Sequence, residues 1–172
     1  MANTYAPLVA GTAKKWTSSG GDHVLTGTSL ASGSGRAGDK SATGDILDAT
    51  KGLAALLEVW VTTKVQAAPT AGNTVDLYLS FSDSATAGTD NPGNLSGADA
   101  ALGNVDLLPQ MVFVGSVVMS NSAGTGAQQQ RFLVQPQDQY VIPVLVNNSG
   151  QALSATGTDT AVWITPWYQQ SS

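Results

Sequence analysis

The chain reads as an all-β protein, an antiparallel β-sandwich with an extended N-terminal arm, and three observations lead there. Segments in which apolar and polar residues alternate recur along it, the pattern of a strand with one buried and one solvated face. Stretches rich in Gly, Ser and Asn separate these segments, as turns and loops require. Charged residues make up only 11%, with a single glutamate, Glu58, so the Glu, Lys and Arg that usually cover helices are scarce. At 172 residues one domain is expected, with residues 1–21 as the arm and 22–172 as the sandwich. A jelly roll ranks first among sandwich topologies and an immunoglobulin-like arrangement second. Strand order is not readable.

Residues 1–21 mix Pro7, Gly11, Lys14-Lys15, Trp16 and Gly20-Gly21 without a period. Trp16 either pins this arm to the body or touches a neighbour, and the pin is the plainer reading because termini must be tied down to be ordered. Asp22–Leu30 fits a short strand, and Ala31–Gly44 a polar Gly/Ser loop. Within that loop, Gly33-Ser34-Gly35-Arg36-Ala37-Gly38-Asp39-Lys40-Ser41 approaches a phosphate-binding loop. Asp39 displaces the lysine, however, and no helix follows to face a phosphate. Leu53–Val65 alternates next: Leu57, Val59, Val61, Thr63 and Val65 share one face, Glu58, Trp60, Thr62 and Lys64 the other. Trp60 thus lies on a polar face, covered there by arm or loop, or serving as an interface anchor.

The central strand is expected at Asn73–Ser82, with Val75, Leu77, Leu79 and Phe81 inward. The excursion after it is too long for a hairpin turn, and Ser96-Gly97-Ala98-Asp99 matches a helix start, a hydroxyl cap followed by a carboxylate. Met111–Ser120 is apolar on both parities, as for a strand covered on two sides. Asn121–Gln130 is a turn-rich link, and Arg131–Gln135, Tyr140–Asn147 and Thr160–Tyr168 complete the strands. Pro143 cannot donate to a ladder and predicts an edge, a bulge or an outward position. Trp163 and Trp167 share a parity of the last strand and read as core. The alternative is that Pro166 breaks the strand between them and leaves Trp167 and Tyr168 near a rim that a neighbouring subunit covers.

The run DLYLSFSDSATAGTDNPGNLSGADAA, followed by MVFVGSVVMS and QYVIPVLVNNSGQALSATGTD, resembles a group of small tailed-bacteriophage virion proteins. These are capsid decoration or head-associated structural proteins. The resemblance spans roughly Gly52 to Tyr168 and is most specific over Thr89–Ala100 (TDNPGNLSGADA). It implies a β-rich, multi-copy structural protein on a virus particle, made in the host cytoplasm. Its partners would be the major capsid protein and further copies of itself, as a dimer or trimer.

Function classes narrow by elimination. The net charge is −5, and residues 65–172 hold one base against seven acids, so nucleic acid is an unfavourable partner. The plain reading of this asymmetry is solubility; the sharper one docks the nearly neutral N-terminal part and leaves the acidic remainder in solvent. There is no cysteine, hence no disulfide and no thiolate metal site. The opening residues lack a secretory pattern, and no apolar window suits a membrane span. His23 is the single histidine, and no Ser-His-Asp or G-x-S-x-G pattern surrounds it. Asp83, Asp90 and Asp99 do not follow the spacing of a calcium loop. The expectation is no enzyme and no cofactor.

Two readings of different class remain. One is a capsid cement protein, whose weak contacts sum over many copies. The other is a carbohydrate- or receptor-binding module on a virion, in a head fibre or near the tail, with Trp60, Trp167 or Tyr168 stacking on a glycan. Candidate interface residues are Trp16, Trp60, Trp167 and Tyr168. Deleting residues 1–20 is expected to abolish particle binding in the first reading and to spare a sugar site in the second.

Overall fold

A computed structural model describes residues 7–121 and 125–170. Its strands are β1 (Leu8–Ala10), β2 (Lys14–Thr17), β3 (His23–Val24), β4 (Ser34–Ala37), β5 (Leu47–Asp48), β6 (Gly52–Leu53) and β7 (Leu56–Thr63). They continue with β8 (Thr74–Ser82), β9 (Ala100–Ala101), β10 (Val112–Val118), β11 (Gln128–Val134), β12 (Tyr140–Asn148) and β13 (Ala161–Gln169). Sheet one runs β11-β7-β13-β2-β3, with β1 also on β13; sheet two runs β10-β8-β12-β4-β9; β5 and β6 form a small hairpin. All pairings are antiparallel except β2 with β3. The protein is an all-β sandwich.

The alternation seen in the sequence fills the space between the sheets. Leu57, Val59 and Val61 of β7 and Val162 and Ile164 of β13 meet Val75, Leu77 and Leu79 of β8 and Val141 and Leu145 of β12. The expected central strand is central, with β10 and β12 on its two sides.

Several expectations are corrected. The described part of the predicted arm, from Leu8 to Thr17, contains two strands of sheet one and so belongs to the sandwich. Of Asp22–Leu30 only His23–Val24 pairs. The Gly/Ser loop contains β4, hidden because its small residues carry no apolar alternation: Gly35 lies under Leu102, where a Cβ would sit 2.8 Å from a leucine methyl. The strand covered on both faces is β12, buried from Tyr140 to Asn147, and not β10. β10 is an edge strand, with Phe113 56% and Val118 60% exposed. Pro143 sits in the interior strand β12, where its missing donor costs one bond, at the end of the β4 pairing. Its carbonyl accepts from Gly38 N at 2.9 Å, and N–H and C=O of one strand residue point the same way. The absent donor would therefore point just past the end of β4.

β12 is buried on its outer side by the long excursion after β8, which folds back over sheet two. Leu95 and Met111 pack on Ala37, Ile142 and Val144, with Tyr78, Leu102 and Leu108 around them. Each side chain so covered contributes about 1.5–3 kcal/mol. The expected helix at Ser96 does not form. Ser96 Oγ accepts from Ala98 N in a turn (3.3 Å), Gly97 has φ +72°, and Asp99 is drawn to Arg36. One 3₁₀ turn follows at Val105–Gln110, capped by Asn104, whose side chain accepts from Asp106 N at 2.8 Å. A Cβ at Gly97 would fall on the backbone carbonyl of Ala87, besides the strain of positive φ. Gly97→Ala is expected to loosen this cover by about 1–3 kcal/mol, seen as faster amide exchange over residues 87–99 while β7 and β13 stay protected.

Candidate functional site

The four candidate residues separate into two that point in and two that point out. Trp16 is fully buried; its Nε1 donates to Asp39 O at 2.8 Å, and its ring stacks on His23 at 4.5 Å. It is the pin and offers no surface to a partner. Tyr168 is 3% exposed and belongs to the core, so it is not at a rim. Burial, then the charges of Asp48 and Asp45, raise its phenol above the ordinary value, and Lys51 Nζ lies 5.2 Å from its ring. Trp60 and Trp167 lie on the outer parity of β7 and β13, both partly exposed. Trp163, expected in the core, is also on this outer face.

Register brings four residues of this face into one row. Arg131 pairs with Trp60, Trp60 with Trp163, and Trp163 with Lys15, across β11, β7, β13 and β2. The Arg131 guanidinium lies 5.0 Å from the Trp60 ring, the two indoles stack at 4.9 Å, and Lys15 Nζ lies 5.2 Å from Trp163. Glu58 holds Arg131 at 3.2 Å. An exposed cation over an indole is worth about 0.5–1 kcal/mol and an aromatic pair about 0.5–1.5. Because β7 and β2 flank β13 on opposite sides, Trp163 is sandwiched between Trp60 and Lys15. Trp60 is likewise sandwiched between Arg131 and Trp163. Sugar stacking needs a free ring face, and these two rings have both faces occupied. Among the described residues no ring or cation stacks on Trp167, four positions further along β13.

The charges of the phosphate-loop look-alike are used inside the fold. Arg36 grips Asp99 through Nε (2.9 Å) and a second, shorter bond, while Asp99 also accepts from Thr26 N and Oγ1 at 2.8 and 2.7 Å. Asp39 accepts from Asp99 N and Val24 N at 2.7 and 3.1 Å. Lys40, 8% exposed, donates into the excursion. His23 Nε2 meets Asp45 at 2.7 Å, and Lys14 Nζ and Ala42 N reach the same carboxylate at 3.2 and 2.6 Å. Burial works to raise the Asp45 and Asp99 pKa values. The hydrogen bonds from His23 and Ala42, and from Arg36 and Thr26, outweigh it and leave both below the ordinary carboxylate value. Among the described residues no three His, Asp or Glu side chains gather as a metal site would require.

This geometry defines a class: a β-sandwich with one sheet carrying its own cover and the other presenting an aromatic and cationic outer face. No family model matches the chain, and no curated protein matches it. Sequence parity placed Trp60 outside but did not reveal its row, since register across four strands is not a local property. The apolar side of the sandwich was also missed: Phe113 and Val118 of β10, and Leu133 of β11, 69% exposed.

Proposed function

We propose that the protein is a structural component of a phage particle, a decoration protein that docks on the outside of the head through the outer face of sheet one. The observation that carries this is the asymmetry of the two outer faces. Sheet two buries Ile142 and Val144 beneath the excursion, while sheet one leaves Trp60, Trp163 and Trp167 in a field of Lys15, Arg131 and Glu58. Tryptophan and arginine are the residues most enriched where proteins grip each other. Charge favours the same orientation. Residues 65–130 hold five aspartates and no Lys or Arg, so the cover side is acidic while Lys15, Lys64 and Arg131 lie on the sheet-one side.

Connectivity adds a fold-level analogy. Numbering the eight principal strands β2, β4, β7, β8, β10, β11, β12 and β13 in chain order, the sheets run 1-8-3-6 and 2-7-4-5. This order supports reading the sandwich as a jelly roll, an architecture shared by viral capsid and lectin domains. The open edges β10 and β11, with Phe113, Val118 and Leu133, suit contacts between copies.

The glycan-binding reading keeps one supporting observation, the unstacked Trp167. Deleting residues 1–20 no longer separates the readings, because it removes β1, β2 and Trp16. Point substitutions do. In co-sedimentation with intact heads of the phage that encodes the chain, saturable binding is expected. Trp167→Ala and the pair Lys15→Glu with Arg131→Glu should each weaken it by about 2 kcal/mol or more, roughly 30-fold. Asp106→Lys on the cover should leave it unchanged. A chain that stays in the supernatant at every concentration, yet binds a glycan through Trp167, would replace the docking reading with the second one.

A further inference from the structure

The lysine of the phosphate-loop look-alike points to a site of another kind. Lys40 Nζ is surrounded by four oxygens, Ser82 Oγ at 3.1 Å, Ser84 O at 2.9 Å, Thr86 O at 2.8 Å and Thr89 O at 3.0 Å. An ammonium has three N–H donors, so acceptors outnumber donors. Three of the four are backbone carbonyls from one six-residue bend, converging on a point as carbonyls do around a desolvated monovalent cation. Ser82 Oγ itself donates toward Thr89 O at 3.2 Å and accepts from Ser84 N at 3.2 Å, which keeps its lone-pair side turned to the ammonium. The backbone beside Lys40 is tied to sheet two, where Ser41 N donates to Val141 O of β12 at 2.9 Å, while Lys40 N donates to Gly97 O of the excursion at 3.0 Å. The side chain therefore reaches the cage from a backbone anchored beside β12, with the Tyr140 ring 6.0 Å from Nζ.

We propose that Ser82, Ser84, Thr86 and Thr89 form a monovalent-cation site for a hydrogen-bonding ammonium, which the chain fills with its own Lys40 and which latches the excursion over sheet two. The site is independent of the docking face. Burying an ammonium is costly, and removing it leaves converging carbonyls without a partner. The latch explains how a Gly/Ser/Thr-rich bend without regular secondary structure is held at one place: its carbonyls share a positive charge anchored in the sheet. Burial lowers the Lys40 pKa from its ordinary value, and the charges of Asp90 and Asp83 offset it only in part.

Lys40→Ala removes the equivalent of one n-propylammonium ion, which makes the site testable with that ion as probe. At constant ionic strength, n-propylammonium chloride is expected to raise the thermal midpoint of Lys40→Ala saturably. It should also slow amide exchange over residues 84–99 by about tenfold, with no such effect on the parent chain. Tetramethylammonium, which carries the charge without N–H donors, should do neither. Equal effects of the two salts, or none from either, would overturn the site. Should Lys40→Ala not fold, limited acylation of the parent chain decides. Lys40 is expected to react last of the five lysines, and its modification to open residues 84–99 to protease. A Lys40 that reacts as fast as Lys15, or that is acylated without exposing this segment, would rule the latch out.

Discussion

Trp16→Ala is expected to destabilise the protein by about 3–5 kcal/mol, the range for removing a large aromatic from a packed interior. Trp16 has no exposed surface and makes three attachments at once. It packs in the main core, its Nε1 bonds Asp39 O at 2.8 Å, and its face lies on His23 at 4.5 Å. Losing the ring leaves a void between β2 and sheet two, an unpaired carbonyl at Asp39 and an imidazole with nothing to lie against. Trp16→Phe keeps most of the apolar volume and loses the hydrogen bond, so it should recover more than half of the loss. Urea midpoints of the purified variants measure both. A stable Trp16→Ala chain that only fails to assemble would mean that the residue faces a partner after all.

Asp99→Asn is the second large effect, about 2–4 kcal/mol. Breaking a buried ion pair costs more than the pair contributes, because the remaining charge is stranded. The low end applies here since Arg36 keeps 24% of its side chain in solvent and Asp99 13%. The substitution also weakens the bonds from Thr26 that tie the β3–β4 connection to the cover. A pH dependence accompanies it. Asp99 and Asp45 both have folded-state pKa values below those of the unfolded chain, so folding favours their ionised forms. Their contribution is complete above the ordinary carboxylate pKa and disappears as pH falls through the lower folded values. Stability should accordingly be flat above about pH 5 and fall below about pH 4. Asp45→Asn with Asp99→Asn should be less stable at neutral pH and show a shallower acid limb in urea titrations at fixed pH. An acid limb of unchanged slope in the double variant would show that other groups govern it.

The second effect falls on a residue whose sequence context pointed elsewhere. Asp99 read as a first-turn carboxylate of a helix capped by Ser96, because a hydroxyl three residues before a carboxylate is a local signature. Arg36, 63 positions away, takes that carboxylate instead. Lys40 read as part of a polar, exposed loop, whereas the carbonyls of residues 84–89 surround it. In each case the competing partner is remote in the chain, and only closure of the fold brings it near.

What the residues determined by themselves was local and periodic. Parity named the inward side of β7 and β8, placed Trp60 outside, and made the protein an all-β sandwich, since a period of two leaves one face needing burial. Residue type foretold the Gly, Asn and Asp turns. Tertiary structure decided the rest: that Trp163 stacks on Trp60, that β12 rather than β10 is covered on both sides, and that Tyr168 turns inward. Those outcomes depend on register and on which distant segment lies over a face. Neither is encoded in a window of ten residues, because each is fixed by contacts formed only after long loops have closed.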